Sequence, residues 1–123
     1  MQFKVQHCNI NVTNLEKSIQ FYKEALGLQV IREKEASDGS FRIVFLSDGV
    51  SPFAIELTWL KAHPQAYDLG ENESHICFSV EDYDQAHAHH EKMGCICYEN
   101  TEMGLYFIHD PDNYWIEIVP AKR

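Results

Sequence analysis

Positive charge is scarce in this 123-residue sequence: 10 Lys and Arg stand against 19 Asp and Glu, for a formal net charge of -9. Nucleic acids and anionic membrane surfaces both reward basic patches, so neither is an expected partner. Small polar molecules and metal cations remain. No apolar run approaches the roughly 20 residues needed to span a bilayer. The opening stretch Met1-Gln2-Phe3-Lys4-Val5-Gln6-His7 has no apolar signal-peptide core, and a cytoplasmic protein is expected. The four cysteines, Cys8, Cys77, Cys95 and Cys97, form no CxxC pair and lie in strand-like apolar segments. Buried reduced thiols are therefore expected in place of a disulfide framework or zinc knuckle. A Gly-rich phosphate loop, a nucleophile elbow and a Ser/His/Asp set with supporting context are all missing, which removes the common signatures of nucleotide and acyl chemistry.

What is present is globular: 45% hydrophobic and 12% aromatic residues in a length that suits one domain. Residues 2 to 12 alternate as a strand, with Cys8, Ile10 and Val12 on one face and His7, Asn9 and Asn11 on the other. Thr13 or Asn14 can cap a following helix in which Leu15, Ile19, Phe21, Tyr22 and Leu26 recur, and Gly27 supplies its stop. Strands are expected at about 28–36, 40–47 and 53–59, separated by turn chemistry. Residues 60 to 74 carry Pro, Gly and polar residues with little periodicity and read as a connector. The pattern then restarts. Ser74 to Val80 alternates, Glu81 and Asp82 open a helix carrying Tyr83, Ala86, His90 and Met93, Gly94 closes it, and strands follow at about 95–99, 104–109 and 114–119. The cluster His87, His89 and His90 is expected on a solvated helix surface. His63 and His109 have no matching carboxylate.

The restart is an internal repeat. His7-Cys8-Asn9-Ile10-Asn11-Val12 aligns with His75-Ile76-Cys77-Phe78-Ser79-Val80, and Ala25-Leu26-Gly27-Leu28 with Lys92-Met93-Gly94-Cys95. Phe45-Leu46-Ser47-Asp48 followed by Ala54-Ile55-Glu56-Leu57 aligns with Phe107-Ile108-His109-Asp110 followed by Trp115-Ile116-Glu117-Ile118. Both halves read βαβββ, an α+β architecture. In each, a histidine opens the first strand and a glutamate sits in the last, on the face opposite the aliphatic residues. If the first and last strands of a module are neighbours and the helix covers one face, His7, Glu56, His75 and Glu117 lie on the uncovered sides. Two imidazole nitrogens and two carboxylate oxygens suit a divalent transition metal, and open positions for water or substrate mark a catalytic site. Trp59, Trp115, Tyr67 and Met103 are candidates either to line an apolar pocket or to pack in the core or an interface.

These modules, the His, Glu, His, Glu order, Ile55-Glu56-Leu57-Thr58, Tyr67-Asp68-Leu69-Gly70, Ser74 to Val80 and Asp110-Pro111-Asp112-Asn113-Tyr114-Trp115-Ile116-Glu117 resemble glyoxalase I of the vicinal oxygen chelate superfamily. The resemblance covers nearly the whole chain. It implies one domain over 1–123, with module 1 at about 1–60, a connector at 61–73 and module 2 at about 74–123. It implies modules paired into cupped, mixed eight-stranded sheets, usually across a homodimer. One octahedral divalent ion per site, Ni2+ or Co2+ with Zn2+ as the alternative, would be held by His7, Glu56, His75 and Glu117. The implied reaction converts the hemithioacetal of methylglyoxal and a thiol to an S-lactoyl thiol through an enediolate, with Glu117 as base and Glu56 as ligand and second proton carrier. Substrate contacts would fall on Asn11, Trp59, Leu60 and Met103. Asn11 stands where glutathione-using relatives place arginine, Leu60 where they place asparagine, and the acidic stretch Glu99 to Gly104 where they have a longer basic loop. Another low-molecular-weight thiol, or another substrate, is therefore in play. The rival readings are a methylmalonyl-CoA epimerase-like enzyme, a fosfomycin-type thiol transferase and a metal-free drug-binding resistance protein.

Overall fold

The computed structural model describes residues 1–122. The element order is β1 (His7–Asn11), α1 (Leu15–Leu26), β2 (Gln29–Glu35), β3 (Phe41–Ser47) and β4 (Ala54–Leu60), then β5 (His75–Val80), α2 (Tyr83–Met93), β6 (Ile96–Asn100), β7 (Leu105–His109) and β8 (Trp115–Pro120). The chain divides into two compact units, residues 1–67 and 68–123. Each unit is βαβββ around one mixed four-stranded sheet, ordered β1-β4-β3-β2 in the first and β5-β8-β7-β6 in the second. First and last strands of each unit are parallel neighbours, and the remaining pairings are antiparallel. None of the described helices is long and apolar enough to cross a membrane.

In the first unit Asn14 caps α1, its side chain accepting from the Lys17 N–H at 3.1 Å. Gly27 ends the helix at φ 69°, a left-handed conformation that costs glycine nothing. Leu15, Ser18, Tyr22 and Ala25 are buried at helical spacing. They face a sheet side made of Val44, Leu46, Ile55 and Leu57, all of them buried. The expected strand over residues 2 to 12 is shorter than its alternation suggests, because β4 begins only at Ala54, which pairs with His7. Upstream of that pair Gln6 accepts one bond from the Ala54 N–H, and residues 1–6 are exposed.

The second unit repeats the plan with other side chains. Asp82 caps α2 by accepting from the Gln85 N–H at 3.0 Å, and Gly94 ends it at φ 73°. Its buried helix residue is His90, whose Nδ1 shares a 2.7 Å hydrogen bond with the hydroxyl of buried Tyr106. Burial pushes the Tyr106 phenol well above its ordinary range, so it keeps its proton. His87 and Tyr83 also pack edge-on against the Tyr106 ring, and His87 Nε2 contacts the Glu99 carboxylate. The expected solvated histidine face is thus corrected for His90 and His87. Polar atoms that find partners under the sheet can be buried there, which helical periodicity scored by apolar residues does not register.

Candidate active site

Strand alternation and register put the chemistry-bearing side chains on the sheet face that each helix leaves uncovered. In the first unit Asn9 on β1 pairs with Glu56 on β4, Glu56 with Phe45 on β3, and Phe45 with Arg32 on β2. These four residues form one row straight across the sheet. The second unit carries the same row as Cys77, Glu117, Phe107 and Tyr98. The last member of each row owes its place to a register irregularity, between Val30 and Arg32 in β2 and between Ile96 and Tyr98 in β6. A bulge inserts one residue and reverses the alternation beyond it. Val30 pairs with Leu46 of the helix side, whereas Arg32 pairs with Phe45 of the open side.

Within each unit the predicted histidine and glutamate meet. His7 Nε2 lies 3.8 Å from Glu56 Oε1, and His75 Nε2 lies 3.4 Å from Glu117 Oε1. The glutamates are mostly covered, with 17% and 16% side-chain exposure, and the histidines are open at 41% and 36%. Each imidazole rests edge-on against a phenyl ring, His7 on Phe45 at 5.4 Å and His75 on Phe107 at 4.9 Å between centroids. Phe45 and Phe107 were absent from the expected site, although they occupy aligned positions of the repeat. Asn9, also unforeseen, turns its amide toward the Glu56 carboxylate. With the NH2 on that side it donates to Oε1 at 2.9 Å and reaches Thr58 Oγ1.

The donor chemistry fits a divalent cation. The Glu73 carbonyl can only accept, so His75 Nδ1, 3.1 Å away, donates to it. In the neutral ring, Nε2 then turns a lone pair toward the Glu117 carboxylate, an arrangement that a cation between them relieves. Two ligand atoms in adjacent positions around an ion with bonds of about 2.1 Å stand about 3.0 Å apart, near the 3.4 Å of the second pair and about 0.8 Å less than the 3.8 Å of the first. Each unit offers one such pair. Among the described residues no group of three or more His, Cys, Asp or Glu is arranged to hold a metal ion.

The expected substrate contacts scatter. Asn11 pairs with Thr58, and Leu60 with Phe41, both on the open side of the first sheet. Trp59 pairs with Arg42, which bonds Glu16 of α1, so the register puts Trp59 on the side opposite Glu56. Met103 is exposed in the turn between β6 and β7, its N–H donating to Asn100 Oδ1 at 3.0 Å. Trp115 is in register with His75 and stacks on Tyr98 and Phe107. Tyr67 instead stacks on His63, at 3.9 Å between ring centroids. The expectation of buried thiols holds for Cys95 and is corrected for the others: Cys8 and Cys97 are half-buried, which raises both thiols above their ordinary range, and Cys77 is exposed because it lies on the open face beside Glu117.

Residues 4–118 match the Glyoxalase/Bleomycin resistance protein/Dioxygenase superfamily. The lactoylglutathione lyase of Neisseria meningitidis serogroup A is 32% identical over 129 residues, spanning 97% of this chain and 91% of its own length. The probable lactoylglutathione lyase of Synechocystis is 35% identical over 126 residues, spanning 94% of each. Among solved structures, the trypanothione-dependent glyoxalase I of Leishmania major superposes with a TM-score of 0.86 at 32% identity, over 98% of this chain and 88% of that one. The repeated βαβββ units, the paired histidine and glutamate in each, and these matches over nearly the full length together make the chain a member of the glyoxalase I (lactoylglutathione lyase) family within that superfamily.

Proposed function

We propose that the protein is a metal-dependent glyoxalase I-type isomerase that converts the hemithioacetal of methylglyoxal and a thiol to an S-lactoyl thiol. The observation that carries this reading is the duplicated pair, His7 with Glu56 and His75 with Glu117, on equivalent open-face positions. The names of the relatives support it. His7, Glu56, His75 and Glu117 would hold one divalent ion, Ni2+ or Co2+ before Zn2+, and two modules would supply the full set across a homodimer. When bound, the ion would act as a Lewis acid for the two adjacent oxygens of the substrate.

The remaining steps belong to the chain. Glu117 takes the C1 proton and returns it to C2. Its neighbour in the row is Cys77, a weak donor, so no strong hydrogen bond from that position opposes protonation. Glu56 receives the Asn9 amide and is better suited to stay a ligand. Phe45 and Phe107 fix the imidazole planes, and Asn11 and Leu60 floor the open face beside Glu56. A cytoplasmic setting accords with a substrate formed from a metabolic aldehyde and a cellular thiol.

The test is thioester formation followed by absorbance, with methylglyoxal and a panel of thiols, on protein reconstituted separately with nickel, cobalt and zinc. Turnover in at least one combination is expected, with about one ion per site, lost in His75→Ala. A bound ion without turnover of any thiol would retire the reading in favour of an epimerase-like proton transfer.

A further inference from the structure

We propose that Arg32 anchors a carboxylate on the thiol portion of the substrate, which makes this enzyme selective for acidic low-molecular-weight thiols. The proposal rests on the glyoxalase I-type reading and names a residue for the half of the substrate that the metal pair does not touch. Expected recognition positions offer no cation: Asn11 and Leu60 are uncharged, and the stretch from Glu99 at the end of β6 to Gly104 carries two carboxylates. The open face of the first sheet supplies two from β2, Lys34 in the row of Asn11 and Arg32 in the row of Glu56. The irregularity between Val30 and Arg32 swings Arg32 onto the open face, into the row that holds Glu56.

Its guanidinium lies over the Phe45 ring, 5.2 Å from the centroid, and the same ring bears the His7 imidazole at 5.4 Å. Phe45 is thus a shared platform, and the guanidinium stands no farther from the imidazole than those two contacts laid end to end. A carboxylate a few bonds from the sulfur of a hemithioacetal spans that interval. Among the described residues Arg32 makes no ion pair, in contrast to Arg42, which is committed to Glu16 and Glu35 on the other face. A guanidinium placed over an aromatic ring, with no protein carboxylate of its own, has donors to offer a bidentate carboxylate. The equivalent place in the second unit is Tyr98, stacked on Trp115, so the feature is not a by-product of the repeat.

The test needs no turnover. Binding of S-hexyl-N-acetylcysteine and of its methyl ester is measured by calorimetry on the purified metal-free and nickel-loaded protein. Wild type is expected to prefer the free acid by about tenfold. Arg32→Gln should erase that preference while binding the ester unchanged, Arg32→Lys should keep part of it, and Lys34→Gln, one row away, should keep it all. Lack of preference in wild type, or a preference that survives Arg32→Gln, overturns the proposal. So does loss in Lys34→Gln alone. A retained preference in Arg32→Gln together with a lowered melting temperature gives Arg32 a structural role in place of a binding one and likewise overturns it. A wild type that prefers the acid yet isomerises no hemithioacetal supports the anchor and removes the glyoxalase I-type reading alone.

Discussion

The open face of the first sheet carries the row Asn9, Glu56, Phe45 and Arg32, and the open face of the second carries Cys77, Glu117, Phe107 and Tyr98. The inner two positions are the same and the outer two are not. Identity is kept where an acid must sit beside a histidine braced by a phenyl ring. Divergence appears at the neighbour beside each carboxylate, Asn9 against Cys77, and at the far strand, Arg32 against Tyr98. The covered faces differ as well. Counting from each N-cap, Tyr22 and His90 hold the same position, yet α1 buries a largely apolar stripe and α2 buries an imidazole bonded to a phenol. Charge follows the same division: residues 1–67 hold seven Lys or Arg and seven Asp or Glu, whereas residues 68–123 hold three and twelve. The whole net charge of -9 therefore belongs to the second half.

The largest expected effect breaks the symmetry of the two acids. Glu117→Gln should lower kcat by about a thousandfold and Glu56→Gln by a smaller factor, in initial-rate assays on metal-loaded protein. Equal losses would show that the two rows share the proton work. Next in size, Tyr106→Phe removes the 2.7 Å partner of buried His90. It should cost about 1–2 kcal/mol, read as a fall in the thermal unfolding midpoint. No change would mean that the polar interior of the second unit contributes little.

Exchanging the first members of the rows sharpens the comparison further. Cys77→Asn should set an amide donor beside Glu117 that must be given up when the carboxylate takes a proton, and should slow kcat by about tenfold. Asn9→Cys should alter kcat by no more than about twofold. The smallest effect concerns the helix side of the first unit. The Arg42 guanidinium, bonded at 2.6 Å, holds the Glu16 carboxyl below its ordinary 4.5. A depressed folded-state value stabilises above the unfolded one and is lost as pH falls through the folded one. Glu16→Gln should therefore flatten the acid limb of a melting-temperature curve below about pH 4.5, by well under 1 kcal/mol, since both groups are exposed.

Much of the architecture was legible because it is periodic. Alternation in β1 and β4 sorted His7 with Glu56, and alternation in β5 and β8 sorted His75 with Glu117, each pair onto one face of its own sheet. Asn14, Gly27, Asp82 and Gly94 set the helix ends within a residue or so. The site was less legible where a partner residue decides. Asn9 gains its role only by lying in register with Glu56, and residues 2–6 read as strand until β4 proves too short to pair with them, whereas the alternation that sorts Glu56 also puts Trp59 on the opposite face with Ile55 and Leu57.

By itself, then, the sequence determined that there are two like modules, that each is βαβββ, and which acid and imidazole share a face, since these follow from spacing along one strand or helix. Only the tertiary structure decided which residues stand side by side across strands. Pairing register and a one-residue bulge are properties of two chain segments at once, and a one-residue slip moves Arg32 from the helix side to the open face. Burial of His90 is of the same kind, because it depends on a hydroxyl that another strand brings beneath the helix.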